Sequence, residues 1–213
     1  MDHAAHRRQI VELSASLFER GFSVGSAGNI SVRVPDGFLM TPTNSSLGRL
    51  DAERLSFLDE GWNHVDGDRP SKEVVMHQAL YEARPDAGAI VHLHSKHITA
   101  LSCLEHTGQP LIPPLTPYFV MRLGRHVPVV PYYRPGSPQI EADITEAGRL
   151  GPAIVLSNHG SLVAGATLEE AVNSAEEMEA SAELALMLAG RPVRQLTERE
   201  IDELVPSAET GRS

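Results

Sequence analysis

Two histidines one residue apart, His92 and His94, close the run Ala87-Gly88-Ala89-Ile90-Val91-His92-Leu93-His94-Ser95. Small and β-branched residues predict a buried strand, and side chains at i and i+2 of a strand share a face. The two imidazoles would then leave the strand end together. Neutral imidazole is the commonest protein ligand for borderline cations such as Zn²⁺, although a His-X-His pair can equally be a hydrogen-bonded structural feature. A third histidine lies in the turn Ser157-Asn158-His159-Gly160, just beyond a second apolar segment at 153–156, so it can reach the same end of a sheet. Three histidines and an open position are the usual plan of a catalytic zinc site. Glu73 is the carboxylate partner, either a fourth ligand or a proton carrier displaced when substrate arrives. A glutamate at a helix start is also what the helix dipole favours.

A second set of residues suits an anion. Gly28-Asn29, Thr43-Asn44-Ser45 and Ser71 at a helix start offer hydroxyls, amides and backbone N–H groups of the kind that cradle phosphate. The same residue types are favoured in ordinary turns. His3, His6, His64, His77, His97, His106 and His126 show no comparable pairing and read as surface or structural. The single cysteine, Cys103, excludes an internal disulfide and sits in the apolar run Thr99-Ala100-Leu101-Ser102-Cys103-Leu104, which predicts a buried structural thiol.

The elements that would position these groups belong to an ordinary globular chain. Of 213 residues, 41% are hydrophobic and 22% charged, which suits one large domain with a real core. The formal net charge of −10 argues against a nucleic-acid or anionic-membrane surface, though not against an anionic small substrate. No apolar run approaches the ~20 residues of a membrane span, and the N-terminus lacks the plan of a signal peptide, so a cytoplasmic protein is expected. Periodicity predicts a first helix over 6–20, a hairpin over 30–41, a strand over 56–59, and a helix capped by Ser71 with Lys72 and Glu73 in its first turn. The histidine strand and a helix over 97–104 follow. Residues 109–138, rich in proline, predict only a strand over 127–132. Then come a helix over 138–150, strands over 153–156 and 161–164, and a long helix capped by Thr167 and ending at Gly190. Residues 1–190 form the expected domain and 191–213 an arm, with a short helix over 197–204.

Gly28-Asn29-Ile30-Ser31, Met40-Thr41-Pro42-Thr43, Ser71-Lys72-Glu73, His92-Leu93-His94 and Ser157-Asn158-His159-Gly160 occur in the order and approximate spacing of the class II aldolase/adducin family, which the chain resembles over nearly its whole length. The resemblance implies an α/β fold, a three-layer α/β/α arrangement with a mainly antiparallel central sheet, where periodicity alone points only to a generic α/β protein. It also implies a homotetramer with active sites between subunits and a divalent metal, usually zinc, with Mn²⁺ or Co²⁺ as alternatives. By that likeness His92, His94 and His159 are metal ligands and Glu73 the acid/base, while Asn29, Thr43, Asn44 and Ser71 surround a substrate phosphate. Asn44 and Lys72 stand where the fuculose-type aldolases favour glycine and serine. Together with Leu115-Thr116-Pro117-Tyr118 and Val130-Pro131-Tyr132-Tyr133-Arg134-Pro135-Gly136, they look more like the branch that decarboxylates 3-oxo-tetronate 4-phosphate.

That reaction would yield dihydroxyacetone phosphate and CO₂ through an enediolate whose charge a Lewis-acidic cation stabilises. Lys72, next to the phosphate groups, is a candidate for the substrate carboxylate along with Arg122 and Arg134. Tyr118 is a candidate proton donor reaching a neighbouring subunit's site. A sugar-phosphate aldolase of the fuculose type is the alternative. A non-catalytic adducin-like interaction module is a second, which retention of all three histidines and the glutamate disfavours.

Overall fold

The structure, a computed structural model, describes residues 3–105 and 108–205; His106 and the last eight residues of the expected arm lie outside it. Helix α1 (Ala4–Glu19) buries Ile10 and Leu17, two helical turns apart. Strands β1 (Asn29–Val34) and β2 (Gly37–Met40) form the expected hairpin, in which Val34 pairs with Gly37. Strand β3 (Ser56–Asp59) follows, and the short exposed β4 (His64–Asp66) pairs with it. After α2 (Val74–Ala83) the histidine segment forms β5 (Ala89–Leu93), then α3 (Lys96–Ser102). Helix α4 (Pro117–Leu123), the two-residue β6 (Val129–Val130) and α5 (Glu141–Leu150) lead to β7 (Ala153–Leu156) and β8 (Gly160–Gly165). The long α6 (Leu168–Met187) and the short α7 (Glu198–Asp202), with a complete capping box at Thr197, end the described chain.

The eight strands form one sheet in the order β4-β3-β2-β1-β5-β8-β7-β6. Among the described residues only β6 and β7 pair in parallel, so the sheet is mainly antiparallel. Alternation along the central strands assigns their side chains to two cores. Ile30, Val32, Ala89, Val91, Leu93, Val155 and Val163 pack with α1, α3, α4 and α6. Ile90, Ile154, Leu156, Leu162 and Ala164 pack with α2 and α5. The result is three layers, α/β/α. Because both faces of β5, β7 and β8 are covered, those strands read as continuous apolar runs, and such runs carry no sign of strand direction.

Several local expectations are corrected. Ser71 does not cap α2: its Oγ accepts the Glu73 N–H, Glu73 itself holds the N-cap position, and Lys72 and Glu73 precede the first turn. The proline-rich segment contains a helix, because Thr116 caps it through the Phe119 N–H and Pro117 sits at its start, where a missing N–H costs nothing. Its strand shrinks to Val129–Val130, consistent with the prolines at 128 and 131. Cys103 is exposed. It caps the C-terminus of α3, whose buried face is set by Ile98 and Leu101, and a further two residues rotate the chain off that face.

Gly160, the first residue of β8, lies so close to β5 that a Cβ there would stand 2.2 Å from the Leu93 carbonyl oxygen. Gly160→Ala forces the two strands apart beside His94 and His159. A loss of about 1–3 kcal/mol is expected from overpacking, read as a lower urea midpoint with an unchanged m-value.

Candidate metal centre and active site

Strand β5 delivers His92 within the sheet, fully buried, and His94 one residue beyond its end. The turn between β7 and β8 delivers His159. The three rings meet edge to face, with centroids 4.6 to 4.8 Å apart, and Glu73 joins them from the start of α2. One donor atom from each of the four residues lies within 4.8 Å of all the others. The Nε2 atoms of His92 and His94 are 2.9 Å apart, and the Glu73 carboxylate oxygens stand 3.5 Å from His92 Nε2 and 3.3 Å from His159 Nε2.

Hydrogen bonding orients these atoms. His92 Nδ1 donates to the Ser161 carbonyl at 2.7 Å, which leaves Nε2 as the lone-pair nitrogen facing the cluster. Burial pushes the His92 imidazole down to about 3 and lowers that of His94 as well, so both are neutral at pH 7. His159 Nε2 is buried without a well-formed hydrogen bond. Burial opposes ionisation of Glu73, but the approach of His159, the interaction with His92 and the Asn29 amide outweigh it and hold the carboxyl well below its usual range. Ring nitrogens and a carboxylate that face one another at about 3 Å form a set that one shared cation can bridge. Donors bound at ~2.0–2.1 Å to one tetrahedral ion stand roughly 3.3 Å apart, close to the separations seen. The residues fit a divalent metal.

The turn holding His159 is tied to α3. Ser102 Oγ accepts the His159 N–H, the Ser102 carbonyl accepts the Asn158 N–H, and Thr99 Oγ1 donates to the His159 carbonyl. At the other end of α3, Glu179 of α6 accepts hydrogen bonds from the N–H groups of His97 and Ile98 and from the Ser95 hydroxyl, all at 2.8 to 2.9 Å. Glu179 thus supplies the helix cap that Ser95 does not, and it fixes the segment immediately after His94.

A cleft of about 160 Å³ opens beside the cluster, lined by His94, His159 and Glu73 together with Ser26 to Asn29, Thr43, Asn44, Ser71, Lys72 and Pro135. The three histidines expected to bind metal, Glu73 and all five of the expected substrate-binding residues therefore share one site: His92 joins through the histidine–glutamate cluster and the others line the cleft. Gly28 carries φ +79, and a Cβ there would meet the His92 carbonyl at 2.9 Å, so glycine is required for this close approach. Asn44 is left-handed, at φ 57, a conformation asparagine tolerates better than most residues.

Two expected groups lie elsewhere. Tyr118 is exposed on α4 and does not line the cleft. Arg122 lines a larger cleft of about 350 Å³ with Arg84, Asp86 and Glu170, at the opposite end of β5 and β8 and remote from the metal-ligand set.

The sequence reading misses one participant. His77, expected at the surface or in a structural role, is fully buried on α2. Its Nε2 lies 2.5 Å from Asn29 Oδ1 and its Nδ1 2.7 Å from Ser31 Oγ. Asn29 Nδ2 donates to Glu73 Oε2 at 2.8 Å, so its oxygen must face His77, and His77 must be the Nε2–H tautomer. The signal is present in the spacing, since position 77 follows 73 by one helical turn.

The family profile described as Class II Aldolase and Adducin N-terminal domain matches residues 8–186. A 3-oxo-tetronate 4-phosphate decarboxylase of Haemophilus influenzae is 48% identical over 206 residues, covering 96% of this chain and 98% of the relative. An L-fuculose phosphate aldolase of Escherichia coli is 34% identical over 91% of this chain and 89% of its own. The crystal structure of Escherichia coli YgbL, described as a candidate aldolase/epimerase/decarboxylase, superimposes with a TM-score of 0.90 at 46% identity, covering 94% of this chain and 97% of that one.

Two outcomes are expected. The wild-type chain binds one divalent ion per subunit and is stabilised against heat by it, whereas His94→Ala loses the ion, as measured by elemental analysis after gel filtration. Burial lowers His77 from 6.5 to about 4. It is neutral in the folded chain above that value, whereas the unfolded chain takes up the proton near pH 6.5. The stabilisation is complete above pH 6.5 and is lost as pH falls toward 4, about 3 kcal/mol in all. Urea unfolding of metal-free wild type and His77→Gln, at pH 7 and pH 4, should show their difference shrink by that order.

Proposed function

The chain belongs to the class II aldolase/adducin family, and on that premise we propose that it is a metal-dependent carboxy-lyase converting 3-oxo-tetronate 4-phosphate to dihydroxyacetone phosphate and CO₂. The observation that carries the reading is the pairing of one metal-ligand set with one anion cleft of substrate size, in a chain 48% identical over nearly its full length to a decarboxylase of that name. The chain is a lyase; the substrate is the finer assignment.

His92, His94 and His159 would hold the cation, with zinc the ion their chemistry suits best and Mn²⁺ or Co²⁺ also accepted by such donors. When bound, the ion supplies Lewis-acid stabilisation of negative charge developing on substrate oxygen. The chain's own groups do the rest. The Gly28–Asn29 and Thr43–Asn44 loops and Ser71 bind the phosphate with neutral donors, which orients the carbon chain toward Glu73. As the bond between C1 and C2 breaks, its electron pair passes into the enediolate over C2, C3 and the C3 oxygen, and C1 departs as CO₂. C2 then takes up one proton, which Glu73 collects and delivers. Glu73 is placed for this by Asn29 and His77, which leave one carboxylate oxygen, Oε1, turned toward His159. Tyr118 and Met121, both exposed on α4 and one turn apart, support a subunit contact there, as in a homotetramer whose sites lie between chains. Among the described residues no helix is long and apolar enough to cross a membrane, and a cytoplasmic location completes the reading.

Purified metal-loaded chain incubated with D- and L-configured 3-oxo-tetronate 4-phosphates should release CO₂ and dihydroxyacetone phosphate from one of them. Aldehyde release from L-fuculose 1-phosphate without decarboxylation would instead assign the chain to the aldolase branch. Glu73→Gln should retain metal and lower kcat by about 10²–10⁴, the range for loss of a positioned acid/base; full activity in that variant would remove Glu73 from the proton transfer.

A further inference from the structure

We propose that Lys72 is the specificity-determining cation of this site and that its ammonium pairs with the carboxylate of the substrate, not with its phosphate; the inference rests on the decarboxylase reading above. Among the described residues that line the cleft, Lys72 is the single lysine or arginine. Of the other two cations considered from sequence, Arg122 lines the cleft at the far end of β5 and β8, and Arg134 is not among the lining residues, although its neighbour Pro135 is. Lys72 itself is exposed, and among the described residues no ion pair or hydrogen bond engages its side chain, so its charge can turn to a ligand.

The chain around Lys72 is nonetheless fixed. Its neighbours Ser71 and Glu73 are buried and joined by a hydrogen bond. The segment of Pro135 and Gly136 folds against it: a Cβ built on Gly136 would lie 3.0 Å from the Lys72 carbonyl oxygen and 3.6 Å from its Cβ. The stem therefore starts from a defined point on the cleft wall.

Adjacency in sequence roots Lys72 at the end of the substrate that Glu73 serves. Glu73 must reach C2, where the proton is delivered, and the carboxylate is one bond from C2. The phosphorus is four bonds away. The residue beside Glu73 is therefore placed for the carboxylate, while the neutral donors of residues 26–29, 43, 44 and 71 already account for the phosphate. Aldol cleavage of a sugar phosphate presents no carboxylate at this point, so a lone ammonium there selects for an acid.

The charge changes during reaction give this pairing a kinetic signature. The carboxylate is fully charged in the bound substrate and loses its charge as CO₂ forms, so the ion pair is strongest in the ground state. Its removal raises the Michaelis constant and does not lower kcat.

The test compares Lys72→Met and Lys72→Arg with wild type, using dihydroxyacetone phosphate and an unreactive 4-phosphotetronate with a hydroxyl at C3 as calorimetric probes. For Lys72→Met the expected result is a tenfold or greater rise both in the Michaelis constant for the phosphorylated oxo acid and in the dissociation constant of the unreactive phosphotetronate. The affinity for dihydroxyacetone phosphate, which keeps the phosphate and lacks the carboxylate, stays within twofold, and Lys72→Arg recovers most of the loss. Parallel weakening of both probes overturns the proposal by assigning Lys72 to the phosphate. Unchanged affinity for both, or a fall in kcat with an unchanged Michaelis constant, overturns it too. Absence of CO₂ release by wild type removes the decarboxylase reading, and the two-probe comparison still decides whether Lys72 reads a carboxylate.

Discussion

The hydrogen bond from His92 Nδ1 to the Ser161 carbonyl is the interaction on which the site depends. It spans two strands whose register pairs His92 with Leu162 and Leu93 with Ser161, so the sheet itself selects the tautomer of His92. A slip of one residue between β5 and β8 would turn His92 into the opposite core and remove its acceptor at once. That register is held by the close approach of Gly160 to Leu93 and by apolar residues covering both faces of the pair. The cores on the two sides of the sheet thus set the geometry of the histidine cluster as well as stability.

Helix α3 carries the same constraint from His94 to His159. Its N-terminus receives the Glu179 carboxylate and its C-terminus holds the turn at Asn158 and His159. Seven residues of helix therefore couple two histidines that are 65 positions apart in the chain. An acidic cap on α6 also places negative charge where the dipole of a helix favours it. A carboxylate already used in this way does not compete with Glu73 for a cation.

How much of this is legible in the sequence depends on whether a residue's partners are local. The histidine strand, the β1–β2 hairpin and the long α6 are readable because period and turn residues are local signals. Three histidines and Glu73 can be placed together from the positions of two strand ends and a helix start, and the ordered motifs supply the antiparallel sheet that apolar runs conceal. What escapes the sequence depends on contacts across the fold. His77 carries no motif, and its significance arises only when β1 lies beside α2 and brings Asn29 and Ser31 to its two nitrogens. Helix α4 is hidden by prolines that read as breakers, although Pro117 follows Thr116 in the arrangement that starts a helix. The apolar run around Cys103 suggests one buried face, but a helix turns such a run through every direction and leaves the thiol exposed.

The lining of the cleft combines two kinds of group. Beside the histidines, the burial of Glu73 is outweighed by the approach of His159, the interaction with His92 and the Asn29 amide, and it stays ionised; the Asn29 bond, to a charged group, is of the sort that contributes about 1.5–3 kcal/mol, and His77 prevents that amide from flipping. The rest of the lining supplies backbone groups, hydroxyls and amides, with the backbone turned back at Gly28 and Asn44. The formal charge of −10 belongs to a chain whose cleft lining, among the described residues, holds one lysine or arginine, Lys72. It makes any cation admitted to the cleft wall informative, because an ammonium in such a chain is surrounded by potential partners of its own. Lys72 lies beside one of them, Glu73, whose carboxylate is turned instead to the histidines and Asn29. The direction of the Glu73 side chain, fixed by residues on β1 and α2, is therefore what leaves the neighbouring ammonium to a ligand.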